Sequence, residues 1–436
     1  MERGAPLCEK ARKEVHHSPI EEGGKLVMKF MATRFGVLLG ALVLTLTLIP
    51  GGKALAQIDR PIKVGIIDCY SGPPATYCNE LLDGFKMALE EINKQGVLGS
   101  TIEFTTRDTK FKVDIALSMA KELVMKEKVD VLMGTINSAA SLAVSEYCKR
   151  EKVPFIVGIG MSEKITGEKG HRYVFRTHAN TAQMGKAGAI GLSKKPFKKY
   201  WIGGDDYEYG HAVANATWGN LKKLRPDVEL LGESWWKVGE PDFTPYITAM
   251  LAANPDAIIQ ATGARDEIPF LKAANSTGLH KKVALYAYAA TDLGTLRPMG
   301  MEAPEGVLGT APYHFFYPET PENLGFSKDF YDRYETYPGF GAFDGFCMAR
   351  FVAAAFSKAR SLDKEKFIDA LEGMTIDSPV GKMKMRAYDH QAMGPGFFGV
   401  TTKSPKYPFL IAKDIEMIPG EEIMPSIEEI KKARGE

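Results

Sequence analysis

The sequence predicts an α/β protein built from two doubly wound, Rossmann-like lobes joined by a three-crossover hinge, and three observations carry that prediction. Short apolar, β-branched runs alternate with helical stretches along most of the chain. Those runs are almost continuously apolar, as in parallel strands covered on both faces, and not polar at every second position. The pattern then restarts: Lys-Val-Asp-Val-Leu-Met-Gly at 128–134 is echoed by Pro-Asp-Ala-Ile-Ile at 255–259 with Gly263, each after a helix and before a polar turn and another helix.

The elements follow in order. Residues 35–49 form an uncharged apolar run, preceded by Lys29 and Arg34 and followed by Pro50 and an Ala-x-Ala ending at Ala56. This reads as a cleaved secretory signal peptide. The run is shorter than the roughly 20 residues needed to span a bilayer. No Leu-x-x-Cys lies near the cleavage point, so a lipid anchor is not supported and a soluble periplasmic product is expected. Met28 or Met31 would each place a basic residue just before the apolar core, so residues 1–27 read as an extension outside the fold.

Strands are predicted at 62–68, 101–108, 129–135, 154–160 and 173–175, then at 199–205, 228–236, 256–263 and 282–289. The helix over 80–94 places Leu81, Phe85, Ala88, Leu89 and Ile92 on one face, and that over 115–126 does so with Ala116, Met119, Leu123 and Val124. Beyond 305 come a strand at 307–310, helices at 325–336, 343–358 and 364–371, strands at 382–388 and 397–402, and a charged helical tail at 420–436. That segment is too small for a third lobe. It completes the first two, which gives crossings near 177, 308 and 379, lobe 1 as 57–177 plus 309–378, and lobe 2 as 178–308 plus 379–436.

Charge and cysteine content bound the partners. Lys and Arg total 55 against 54 Asp and Glu, and after residue 56 the counts are 47 and 49. No basic excess exists to neutralise a run of phosphates, so nucleic acid is not an expected partner. Cys69 and Cys78 flank a Gly/Pro-containing loop, which leaves open a local disulfide or two buried thiols. Cys148 and Cys347 fall on helical patterns as small core residues.

Signatures of catalysis are absent: there is no G-x-G-x-x-G after the first strand, no G-x-x-x-x-G-K-[ST], no H-E-x-x-H, no G-x-S-x-G and no C-x-x-C. No cofactor and no metal are expected, and no catalytic residue is assigned. Asp205-Asp206 reads as a pair of solvated turn carboxylates. Ligand chemistry is instead offered at strand ends. After 129–135, the run 136–141 opens a helix and presents backbone N–H groups around Ala139 and the Ser138 hydroxyl, an anion-holding arrangement. Plain N-capping is the alternative for the same serine. The loop 158–162 supplies small residues whose backbone can approach a ligand closely.

At this point the residues resemble a known family. Ile62-Lys63-Val64-Gly65, Ser71-Gly72-Pro73, Gly84, Ala88, Glu91-Ile92-Asn93 and Gly96-Val97-Leu98-Gly99 resemble the opening of the type I periplasmic binding proteins, in their leucine/isoleucine/valine-binding branch. Gly134 with Ser138, Tyr207-x-Tyr209-Gly210, Gly239-Glu240-x-Asp242-Phe243, Pro255-Asp256 and Gly306-Val307 continue the resemblance along the chain.

It implies the type I periplasmic binding protein fold and a monomeric receptor of an ABC importer. Its partners would be a small amino-acid-like ligand in the interlobe cleft and a membrane permease. By the same resemblance Ser138 holds the ligand carboxylate with backbone groups at Ala139, Ile159 and Gly160, while Tyr77 and Tyr209 line the cleft. Met161 stands where the family carries Thr, with Ser162 one step on. Gly263 stands for a second-lobe tyrosine, and Ala289 for the ammonium-binding acid, with Asp292 three positions later and Asp206 as second candidate. Relatives also take amides, urea and aromatic carboxylates. A secreted enzyme on the same scaffold is the reading from another class.

Overall fold

A computed structural model describes residues 58–72 and 74–436; the signal peptide and alternative starts lie outside the described residues. The first sheet holds five parallel strands in the order β2-β1-β3-β4-β5, namely β1 Ile62–Asp68, β2 Ile102–Asp108, β3 Val131–Gly134, β4 Phe155–Val157 and β5 Val174–Arg176. Neighbouring residues on its strands bury opposite ways. Val131, Met133 and Ile156 join one core cluster, while Leu132, Phe155 and Val157 join the other. That two-sided burial is why the strands read as continuous apolar runs. Helices α1 Ala75–Gln95, α2 Val113–Met125 and α3 Ser138–Glu151 connect them.

The second sheet is built from β6 Lys199–Asp205, β7 Glu229–Trp236, β8 Ala257–Ala261, β9 Ala284–Ala287 and β10 Leu308–Ala311, which run parallel to one another. After the short strands β11 Thr375–Ser378, β12 Gly381–Met385 and β13 Ala392–Met393, two antiparallel strands, β14 Gly396–Thr402 and β15 Ile411–Ile418, add to the second sheet's edge. The full order is β15-β14-β10-β9-β8-β6-β7. Helices α4 Thr181–Ser193 and α5 Glu208–Leu224 pack on it, α4 opening with a reciprocal capping box between Asn180 and Gln183.

The chain thus passes between the two sheets three times, after Arg176, after Ala311 and after Met393. The second and third passes come later than the sequence pattern placed them, near 308 and 379. β10 pairs with β9 and β14, which keeps it in the second sheet to its end. β11, β12 and β13 form a small sheet of their own, whose Ile376, Met383 and Met385 join the first core cluster. The helical tail is present as Gly420–Ile423 and Ile427–Arg434, and Arg434 donates back to the carbonyls of Thr166 and Gly167.

The helix Phe340–Ala359 is long and apolar enough to cross a membrane by length and composition, but it is a core helix laid against α1. The approach is close enough that a Cβ on Gly84 would sit 1.9 Å from the Ala342 carbonyl oxygen, and one on Gly345 the same distance from that of Leu81.

Candidate functional site

The carboxyl ends of both sheets border one cavity of about 400 Å³. On the first-lobe side its wall is the start of α3. Asn137, extended at φ −75°, is the N-cap, and its Oδ1 accepts from the Ala140 N–H at 3.1 Å. Ser138 is therefore the first helical residue and not the cap, which corrects the capping reading of that serine. Its hydroxyl faces the cavity and accepts from the Ser162 N–H at 3.2 Å. The Ser138 and Ala139 N–H groups belong to the first turn, where no intrahelical acceptor exists.

Behind this turn lies Asp68, fully buried at the end of β1. Its Oδ1 accepts from the backbone N–H of Ile136 and of Cys69, each at 2.9 Å, and so fixes the strand-to-helix loop. Burial pushes its carboxyl pKa up. Cys78 donates its S–H to the same oxygen and Cys69 donates to the Ser71 carbonyl, so the two are buried free thiols and not a disulfide.

The loop after β4 supplies Ile159, Met161 and Ser162 to the wall. Gly160 is not on the wall, contrary to expectation: its carbonyl turns back to accept from Arg176 Nη1 at 3.0 Å. Arg176 is completely buried at the first crossing. Its Nη1 also donates to the Ser162 carbonyl at 2.5 Å, Nη2 to Thr166 at 2.9 Å and Nε to Gln391 Oε1 at 2.6 Å. Burial lowers its pKa to about 9, still charged at neutral pH.

The second-lobe side is aromatic and acidic. Tyr209 on α5 stacks with Tyr207 at 6.0 Å and meets the edge of Tyr288 at 6.2 Å. Tyr207 brings its hydroxyl within 2.6 Å of where a Cβ of Gly263 would stand, so it fills the space that a side chain at 263 would take. Across the cavity Tyr77, in the first turn of α1, stacks on Phe340 at 5.0 Å. Burial raises the pKa of Tyr77 and Tyr209 further into the range where they stay neutral.

Asp292 is buried on the cavity wall. It caps the helix Leu293–Met299, with Oδ2 accepting from the Gly294 N–H at 2.9 Å, and its Oδ1 has no hydrogen-bond partner. Burial pushes its pKa up to about 7. Asp206, the other candidate, is not on the wall: its exposed carboxylate pairs with His211 at 2.9 Å. The structure thus brings Tyr77, Ser138, Ala139, Ile159, Ser162, Tyr209 and Asp292 to one cavity and leaves out Gly160 and Asp206.

His178, Tyr288 and Phe340 also line it and were not singled out from the sequence. The signal for His178 lay in its place, two residues after the last strand of the first sheet, where the chain first crosses.

This cavity, on these two sheets, sits in a chain whose residues 61–404 match the model of the periplasmic binding proteins. The chain belongs to the periplasmic binding protein family. This periplasmic binding protein is 24% identical over 366 residues to Leu/Ile/Val-binding protein homolog 4 of Brucella melitensis, covering 79% of this chain and 84% of the relative.

Among solved structures it is similar to an ABC-type branched-chain amino acid transporter protein of Rhodopseudomonas palustris, at 27% identity and a TM-score of 0.74 over 84% of this chain and 99% of the other. It is also similar to a solute-binding protein of an ABC transporter from another R. palustris strain, solved with 3,4-dihydroxybenzoic acid. There the identity is 23% and the TM-score 0.72, over 82% and 98% of the chains, a likeness that speaks for the fold.

Proposed function

We propose that this chain is the periplasmic solute receptor of an ABC importer, that it binds one small amino-acid-like molecule between its lobes as a monomer, and that it delivers it to a membrane permease. The observation that carries this reading is the pairing, in one cavity, of the Ser138 turn with a buried carboxyl oxygen on Asp292 that has no partner. The Ser138 hydroxyl and the N–H groups of the first turn of α3 suit a carboxylate. An ammonium buried without an anion costs several kcal/mol, and Asp292 supplies that anion. The family's acid position carries Ala289, so Asp292, three residues onward in the turn after β9, takes over its task.

A second reading has its own observation. Tyr77, Tyr207, Tyr209, Tyr288 and Phe340 give the cavity aromatic walls, which suit an aromatic carboxylate with no ammonium. Calorimetric titration of leucine, valine, phenylalanine, tyrosine, short amides and benzoate-like acids separates the two. An amino acid is expected to bind with one site per chain. Asp292→Asn should weaken it by about 100-fold or more, and Asp206→Asn should leave it unchanged. Amino-acid binding of equal strength in Asp292→Asn would overturn the ammonium assignment, and binding of aromatic acids alone would establish the second reading.

A further inference from the structure

Three buried polar atoms of residues lining the cavity have no hydrogen-bond partner: Asp292 Oδ1, Tyr288 Oη and His178 Nε2. His178, Tyr288 and Asp292 are 2%, 4% and 3% exposed, so bulk water does not reach them. Asp292 has a role in the reading above; His178 has none.

The histidine is held in place from both sides. Its Nδ1 lies 2.6 Å from Oδ2 of Asp344, itself buried in the helix Phe340–Ala359. Its ring packs on Phe340 with centroids 5.0 Å apart, and Phe340 in turn stacks on Tyr77. A carboxylate at Nδ1 keeps the proton there and leaves Nε2 with a free lone pair. An orphan acceptor beside a stacked aromatic pair is costly unless an occupant of the cavity supplies a donor.

We propose that His178, oriented by Asp344, is a specificity-determining ligand contact, and that the solute it selects carries a hydroxyl donor on an aromatic ring as well as the carboxylate held at Ser138. This rests on the reading of the cavity as a small-solute site, and it narrows that reading from amino-acid-like solutes in general to hydroxylated aromatic carboxylates. Two sources share this chemistry, an aromatic amino acid and a simple aryl acid, and they differ in the ammonium that Asp292 would hold. An aliphatic side chain would leave Nε2 unpaired, and sites built around a hydrogen bond to a substrate hydroxyl discriminate strongly against analogues lacking it.

Calorimetric titration with phenylalanine and tyrosine, with benzoate and 4-hydroxybenzoate, and with leucine tests the proposal. In at least one aromatic pair the hydroxylated member should bind about tenfold tighter or more. His178→Phe should erase that ratio while the affinity for the other member stays within about threefold. If His178→Phe binds none of the probes, Asp344→Asn decides. An amide there lets the ring proton move to Nε2, so the hydroxyl preference should fall while the non-hydroxylated member binds as before.

Equal binding within both pairs, or a preference that persists in His178→Phe or is unchanged in Asp344→Asn, overturns the proposal. Tight leucine binding with none of the four aromatic probes bound overturns it too, and leaves the small-solute reading standing. Failure of all five probes counts against both.

Discussion

Asn137 and Ser138 are adjacent residues with separate tasks. The carboxamide of Asn137 closes the first turn of α3, which leaves the Ser138 hydroxyl at the cavity. Asn137→Ala should therefore cost about 1 kcal/mol of stability, read as a lower melting temperature. Ser138→Ala should leave the melting temperature of the unliganded protein nearly unchanged. It should weaken a carboxylate ligand by about 1.5–3 kcal/mol, the worth of a hydrogen bond to a charged group.

Asp292 adds a pH dependence. Burial raises its folded-state pKa to about 7 from the unperturbed 3.8, so the protonated form is the one that the folded protein favours. The stability this group contributes is present below about pH 4 and is lost as pH rises to about 7. An ammonium ligand favours the carboxylate instead, so binding near pH 6 should release about one proton, and almost none by pH 9. Tyr77, Glu80, His178 and Arg297 are the titratable and charged groups nearest in effect. Titration in two buffers of different ionisation enthalpy reads the proton count. Release that persists in Asp292→Asn would assign it to another buried acid, such as Glu267, also raised to about 7 by burial.

At the scale of elements, the contact of α1 with the helix Phe340–Ala359 depends on two glycines that let backbones touch. A methyl group at Gly84 or Gly345 has no room, and Gly84→Ala or Gly345→Ala should destabilise by about 1–3 kcal/mol in chemical unfolding. Gly325, in the helix Pro321–Tyr334, has no atom within 4 Å of a Cβ placed on it. Gly325→Ala should stabilise by up to about 1 kcal/mol, which makes it the matched control.

Elements were legible in the sequence where burial was two-sided. The strands β1, β3, β4, β5, β8, β9 and β10 stand out because each is buried on both faces, whereas β15 is not. It is an edge strand, Ile-Ala-Lys-Asp-Ile-Glu-Met-Ile, whose Lys413 and Asp414 are exposed. β13, two residues long, is too short to show a period. Ser138 was visible because its place at a strand end is a local property. His178 was not, because its orientation comes from Asp344, far along the chain.

At the scale of the molecule, the first and third passes between sheets share buried polar contacts. Arg176, at the first pass, ties the loop of Gly160 and Ser162 to Gln391, just before the third, and the Gln391 amide donates to the His178 carbonyl at 2.8 Å. Arg176→Met would leave these acceptors unpaired and should lower both melting temperature and ligand affinity. Ion pairs link elements of the two lobes. Arg297 pairs with Glu80 at 2.6 Å, and Lys164 with Glu208 at 2.6 Å. The first is largely buried and should matter to closure, while the second is exposed and should contribute little. Arg297→Met should accordingly reduce ligand affinity, and Lys164→Met should leave it nearly unchanged in the same titration.

One solute held between two lobes should draw them closed. Small-angle scattering tests this most directly, on the full protein alone and with whichever of leucine, tyrosine or 4-hydroxybenzoate titration shows to bind, at saturation. The radius of gyration should fall when ligand is added, through a hinge closure at the three passes. Superimposable scattering curves from the free protein and from protein shown by calorimetry to be fully occupied would contradict it.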